Sequence, residues 1–262
     1  PADIVLNVDC PSRAMTTELF RQADRVWATG GNSMVEYANR SGTPALGVGQ
    51  GNACVVVDAC ADLDFAADAI HRSKTFDLAA SCSSDNAVLA LSAVYDGLLA
   101  RLQAKGAYVI ADPAEKEALA RALWLPSGSL NPHAVVKPAA EICRLAGFEI
   151  PEDRTFIVVP ETGVGPSSPF SGEKLSVVLA LYRVADLDEA IALTNRIHRF
   201  QGQGHSAGIF SQSPAHVDRF ALETHTSRIM VNQPQSLSNS GALWNGMRQT
   251  LSLGCGSRGR TF

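Results

Sequence analysis

Apolar residues along this chain recur in two rhythms. Short, nearly unbroken apolar runs alternate with longer stretches in which apolar positions return every three or four residues. The first rhythm predicts strands and the second helices. Strands are expected over residues 4–8, 26–28, 53–57, 87–91, 108–110, 155–160, 176–184, 206–211 and 228–232. Helices are expected over 11–22, 34–40, 62–73, 93–105, 113–124, 137–146, 187–200 and 214–222. The run 53–57 has no polar position, as a strand covered on both faces requires. Gly42, Gly106 and Gly147 stand where helices should stop, and Asp112 or Pro113 where one should start. Asp186, Asp188 and Glu189 give another helix an acidic N-terminus. Residues 233–246, rich in Ser, Asn and Gly, read as a loop. Alternating strands and helices predict an α/β fold with mostly parallel pairing.

Composition narrows the setting. The chain has 262 residues, 46% hydrophobic and 18% charged, enough for one large domain or two small ones around a real core. A net charge of −4 without any Lys/Arg cluster argues against nucleic acid and anionic membrane as partners. No apolar run approaches the ~20 residues of a membrane span, and the first six residues lack the basic flank of a signal peptide. The six cysteines are scattered, with no C-x-x-C and no Cys/His spacing suited to zinc. No metal site is expected, and a reducing cytoplasm fits best.

Four places carry possible chemistry. Cys82 follows an apolar helical stretch, sits among small residues (Ala79-Ala80-Ser81-Cys82-Ser83-Ser84) and precedes a strand. Such a junction presents a nucleophilic thiol to a small substrate. The turn Thr29-Gly30-Gly31 ends a strand and opens a helix, so its backbone N–H groups can face an anionic or dinucleotide ligand. Glu173 stands at the entrance of a strand, where a carboxylate can hold ribose hydroxyls, and His205 stands at the mouth of another, where it can serve as base or donor. Taken singly, each has a simpler reading that outweighs the chemical one: a buried small side chain, an ordinary turn, a solvated carboxylate, a structural histidine. Cys10, Cys54, Cys60, Cys143 and Cys255 read as small core residues, and His71, His133, His198, His216 and His225 as surface or helix residues. Gly254-x-Gly256-x-x-Gly259 matches a dinucleotide fingerprint only formally, because no helix and no spaced acidic residue follow it.

Together the segments resemble the CoA-acylating branch of the aldehyde dehydrogenase superfamily. The resemblance rests on Ala28-Thr29-Gly30-Gly31, then residues 42–52, then 73–82, Ser171-Gly172-Glu173-Lys174-Leu175-Ser176, Gly204-His205, residues 227–234 and 253–257, in family order. It implies a remnant of a Rossmann-type cofactor domain over residues 1–47, a three-layer α/β/α catalytic domain over 48–240, and a return segment over 241–262. It implies that Cys82 is the nucleophile and His205 a second catalytic residue. Thr29, Gly30, Gly31, Gly47 and Glu173 fall on the cofactor side, with Glu173 at the nicotinamide-side ribose. NAD or NADP is the implied cofactor, coenzyme A the co-substrate, and a small aldehyde or acyl-CoA the substrate. A homo-oligomer in the cytoplasm, or in a bacterial microcompartment, is the implied setting.

One departure within the resemblance bears on the chemistry. Hydrolytic members carry a glutamate that activates water near the position of Gly47, whereas no acid occurs from Ser41 to Val57. A thioester at Cys82 should therefore resist water and pass to CoA. Residues 233–248 are expected to line the acyl pocket, and their polar content suits a small polar aldehyde. The first cofactor-binding units of the family have no counterpart here, so the chain is expected to be a fragment, weak or inactive alone. A non-catalytic remnant serving as an assembly module is the alternative.

Overall fold

The computed structural model describes residues 5–250. The chain begins with α1 (Arg13–Gln22), β1 (Val26–Thr29), α2 (Asn32–Arg40) and β2 (Ala45–Val48). Then follow β3 (Ala53–Val57), α3 (Leu63–Thr75), β4 (Asp85–Leu91), α4 (Ser92–Ala104), β5 (Ala107–Val109), α5 (Pro113–Leu123), α6 (Ala139–Ala146) and β6 (Phe156–Pro160). The last elements are β7 (Val178–Val184), α7 (Leu187–Phe200), β8 (Gly204–Phe210), α8 (Pro214–Glu223), β9 (Thr226–Val231) and α9 (Gln235–Ser238).

Two sheets organise these elements. β1 and β2 pair in parallel as a two-stranded sheet, with Val26, Ala28 and Ala38 as its small core. Gly47 lets α2 lie close on β2, since a Cβ there would come within 2.6 Å of Val35 Cγ1. The other seven strands form one parallel sheet in the order β5-β6-β7-β4-β3-β8-β9. Every residue of β3, β4 and β8 is buried, so both faces of the centre are covered. Right-handed crossovers assign the two coats: α3 and α4 lead leftward along the order, while α5 to α8 lead back rightward over the opposite face. The architecture is a three-layer α/β/α sandwich and a small unit built on the two-stranded sheet.

Several helix ends follow the sequence closely. Ser12, Asp62, Asp112 and Asp186 accept backbone N–H bonds at helix starts, and Gly147 ends α6 in the left-handed region at φ 91°. Two expectations fail. Residues 5–8 form no strand, and Val5 and Leu6 are 85% and 79% exposed, with no apolar surface to receive them. Residues 233–246 are not all loop, because α9 is buried there. Its polar side chains are held in part by distant residues around them. Gln235 Nε2 donates to Cys54 O (3.2 Å) and Asp85 Oδ1 (2.8 Å), and Ser236 N and Oγ bond Ser73. Apolar periodicity is blind to such a helix. The formal fingerprint at Gly254 and the thiol of Cys255 lie outside the described residues.

The C-terminal ends of β3 and β8 are tied by Asp58. This fully buried carboxylate accepts from Ala59 N (2.7 Å), Ser211 Oγ (2.6 Å), His216 Nδ1 (2.7 Å) and Cys60 Sγ (3.1 Å). Burial opposes its ionisation, but the bonds from Ser211, His216, Cys60 and Ala59 prevail and hold it below 3.8. Two sequence expectations are thereby corrected: His216 has a partner, and Cys60 is an exposed thiol bonded to a carboxylate rather than a core residue. Cys10 is exposed as well. A depressed carboxylate contributes stability above its unfolded pKa and loses it as pH falls through the folded value. Asp58→Asn should cost at least ~2 kcal/mol in urea unfolding at pH 7. The gap to the unsubstituted protein should narrow as pH falls below the ordinary aspartate value of about 3.9, where the unfolded chain takes up the proton first and folded Asp58 only at lower pH.

Candidate active site

Cys82 reaches its place by an unusual path. The helix expected over 62–73 runs on to Thr75, and a 3₁₀ turn (Phe76–Ala79) follows. Asp77, Leu78 and Ala79 are consecutively left-handed, at φ 48°, 49° and 60°. Such a conformation costs about 1–2 kcal/mol per L-residue, so surrounding packing must enforce it. The serines around the thiol then fasten the turn. Ser81 Oγ lies 2.8 Å from Ser83 Oγ, Ser84 N donates to Ser81 O (3.0 Å), and Ser84 Oγ reaches Ser73 O (3.5 Å). Cys82 is left half-buried.

Three backbones meet beside it. A Cβ on Gly51 would lie 1.9 Å from Cys82 O and 2.8 Å from Glu173 Oε1. A Cβ on Gly202, at φ 86°, would lie 1.7 Å from Gly51 O. Only glycine at both positions allows the approach. Gly51 N donates to Glu173 Oε1 (2.8 Å), and Glu173 N donates to Gln201 Oε1 (2.9 Å), so the crossing also aims the carboxylate. Asn52 Nδ2 adds bonds to Ser171 O (2.9 Å) and Gln201 O (3.1 Å).

His205 opens β8 and is fully buried. Its Nε2 lies 3.2 Å from Cys82 Sγ, and its Nδ1 2.8 Å from Ser206 Oγ. Burial, with the nearby Arg228 charge, lowers its pKa to about 4. The ring is neutral at physiological pH, so a lone pair on Nε2 can accept a hydrogen bond from the thiol. Glu173, 6% exposed, has its pKa raised to about 6 by burial, against the Gly51 N–H bond and the charges of Lys174 and Lys74. It is a carboxylate above that pH, not the solvated turn residue of the simpler reading.

A cleft of about 570 Å³ joins these groups to the small sheet. Thr29, Gly30 and Gly31 line one side, Cys82 and Glu173 the other, and Trp124 and Leu130 a third. The C-terminal end of β1 thus faces the N-terminal ends of β3, β4 and β8. Gly47 packs on Val35 and is not among the lining residues, whereas Gly49 and Gln50 are. His205 stands behind the thiol rather than in the cleft wall.

Sequence reasoning missed the buried charges beneath the turn. Lys74, Asp85 and Lys174 are all at most 1% exposed. Burial lowers Lys74 to about 7, against Asp85 and Glu173, and raises Asp85 to about 6, against bonds from Ser73 and Gln235. Lys174 Nζ donates to Phe170 O (2.7 Å) and Gly172 O (2.8 Å). The available signal was a lysine at the end of an apolar helix and an Asp-Asn pair opening an apolar strand. His198, expected as a surface or helix residue without a role, is helical but only 1% exposed.

Comparison with known proteins finds relatives over nearly the whole of this chain. The sulfoacetaldehyde dehydrogenase (acylating) of Cupriavidus necator is 41% identical over 262 residues, covering 99% of this chain and 53% of the relative. An acetylating aldehyde dehydrogenase from Geobacillus thermoglucosidasius superposes with a TM-score of 0.92 at 36% identity, over 96% of this chain and 55% of the other. Over nearly its whole length the chain is homologous to acylating aldehyde dehydrogenases. It spans about half the length of the curated aldehyde dehydrogenase relatives it matches. A propionaldehyde dehydrogenase of Rhodopseudomonas palustris, solved with propionyl-CoA bound, matches with a TM-score of 0.84 at 26% identity over 96% of this chain and 55% of that one. No family model matches the chain.

Two substitutions probe this site. Gly51→Ala puts carbon against a backbone oxygen that no rotamer change can move aside. It should cost about 3 kcal/mol in thermal or urea unfolding and disturb the Cys82 turn. His205→Ala removes the base, and iodoacetamide labelling of Cys82 at neutral pH should slow by about 10²-fold. Labelling of exposed Cys10, followed by peptide mass spectrometry, is the internal reference.

Proposed function

We propose that this chain carries the thiol-bearing half of an NAD(P)-dependent, CoA-acylating aldehyde dehydrogenase, with residues 1–47 as the end of a cofactor domain, 48–240 as the catalytic domain and 241–262 as the return segment. The observation that carries the reading is the 3.2 Å approach of a buried, neutral His205 to Cys82 Sγ, at the wall of a cleft shared with Glu173. His205 Nε2 takes the thiol proton as the sulfur attacks an aldehyde carbonyl. Backbone N–H groups near Cys82 receive the tetrahedral oxyanion. Collapse of that adduct with loss of hydride leaves an acyl thioester on Cys82.

The cleft suits the nicotinamide end of a dinucleotide. Glycine backbone at Gly30, Gly31 and Gly49 permits close approach, and Gly51 holds the Glu173 carboxylate at the wall for ribose hydroxyls. When bound, the dinucleotide supplies the hydride acceptor and CoA the thiol that receives the acyl group. Water is the competing acceptor, and the segment from Ser41 to Val57 offers no carboxylate to activate it. The acylating relatives support assigning an aldehyde and an acyl-CoA as the two substrates. No helix among the described residues is long and apolar enough to cross a membrane. Unpaired cysteines at Cys54 and Cys143 support a reducing compartment, the cytoplasm or a bacterial microcompartment within it, and a homo-oligomer is the assembly we assign.

Acyl transfer in the reverse direction needs no hydride acceptor, so it tests the thiol directly. Incubation with an acyl-CoA should release CoA and add one acyl group at Cys82, visible by intact and peptide mass spectrometry. The acyl–sulfur bond to CoA breaks, one to Cys82 forms, and the thiol proton leaves with CoA. Cys82→Ala should show no adduct, and the thioester should persist in water yet be removed by added CoA. Absence of any adduct, or hydrolysis as fast as its return to CoA, would overturn the proposal.

A further inference from the structure

The same end of the seven-stranded sheet holds polar atoms that the chemistry above does not use. Among the described residues, the fully buried Asn239, which ends α9, finds no hydrogen-bond partner for its Oδ1 or its Nδ2, and Ser238 Oγ beside it, also fully buried, finds none either. Leaving such groups unmet costs stability, and two neighbours in this state call for a ligand to meet them. Their position indicates which. α9 packs on α3 and on the 3₁₀ turn that leads to Cys82, and Gln235 within it bonds Cys54 O and Asp85 Oδ1, at the starts of β3 and β4. From the other side the Arg228 guanidinium donates to Asn239 O. Arg228 pairs in register with Ser206, the neighbour of His205, and its charge helps to keep His205 neutral. Thiol, imidazole, guanidinium, amide and hydroxyl therefore follow one another through adjoining elements.

We infer that Ser238 and Asn239, beside Arg228, receive the far end of the aldehyde, and that this end is an oxyanion, a carboxylate or a sulfonate. The amide and hydroxyl supply hydrogen-bond donors, and the guanidinium supplies the positive potential that selects an anion over a neutral polar group. The inference rests on the reading of Cys82 as the nucleophile and adds the substrate class.

Two alkylating agents separate these claims, because iodoacetate and iodoacetamide differ in an anionic against a neutral end. The 262-residue chain is labelled with each, and rates at Cys82 and at exposed Cys10 are followed by peptide mass spectrometry. The iodoacetate-to-iodoacetamide rate ratio at Cys82 should exceed that at Cys10 by about tenfold or more, the factor one hydrogen bond to a charged group is worth. Asn239→Ala and Ser238→Ala should each return the ratio toward that of Cys10 while iodoacetamide labelling of Cys82 continues. Ser238→Ala removes a single oxygen and keeps the test available if the Asn239 variant does not fold. Equal ratios at the two cysteines would overturn the oxyanion assignment and leave the nucleophile standing. A raised ratio unchanged in both variants would overturn the assignment to Ser238 and Asn239. Iodoacetamide labelling of Cys82 no faster than of Cys10 would instead overturn the nucleophile and the inference with it.

Discussion

The site depends on one steric constraint: three backbone segments from distant parts of the chain touch at Gly51. The Cys82 carbonyl lies on one side of it and Gly202 on the other, at separations that exclude any Cβ. Because this contact is backbone on backbone, it cannot relax through side-chain rotation. It fixes the thiol turn relative to the start of β3, and the Gly51 N–H fixes the Glu173 carboxylate. It also sets the 201–205 segment, and so places the imidazole against the sulfur. The left-handed run at Asp77, Leu78 and Ala79 is tolerable in this setting, since the turn is held from both ends.

Burial then determines the charges. His205 is stripped of solvent and becomes a neutral base, whereas Glu173 remains ionised through most of the physiological range although burial works against it. Beneath them Lys74 and Asp85 offset each other, with Lys174 held by two carbonyls. Such a layer is costly to bury, and its place under the thiol turn and Glu173 suits a role in positioning. Removing a carboxylate from the crossover works in the opposite sense: it leaves the segment beside Cys82 without a group to deprotonate water. A neutral imidazole at the thiol, with no carboxylate in the 41–57 segment to activate water, is the combination that suits a long-lived thioester.

Much of this was legible in the chain. The unbroken apolar runs at 53–57 and 87–91 marked strands covered on both faces, and the caps at Asp112, Asp186 and Gly147 marked their helices. Cys82, Glu173, His205 and the Thr29–Gly31 turn were identifiable because resemblance to a family supplied an order that single residues lack. What escaped has a common physical reason. α9 is mostly polar yet buried, tied by a few hydrogen bonds to distant residues, so its pattern imitates a loop. Lys74, Asp85 and Lys174 are charges in the interior, where composition alone assigns none. Asp58 and His216 meet across 158 positions, a contact that no local pattern announces. Val5 and Leu6 failed in the other direction, because an apolar run becomes a strand only with a partner to pair against.

The central claim is that a neutral imidazole, not an imidazolium, faces the sulfur. An NMR titration of the His205 ring nitrogens tests it most directly, with His205→Gln to assign the signals. The account predicts a neutral ring from pH 8 down to about pH 5, with protonation centred near 4. A His205 that is protonated at pH 7, and loses its charge only when Cys82 is alkylated, would show a resting thiolate–imidazolium pair and contradict it.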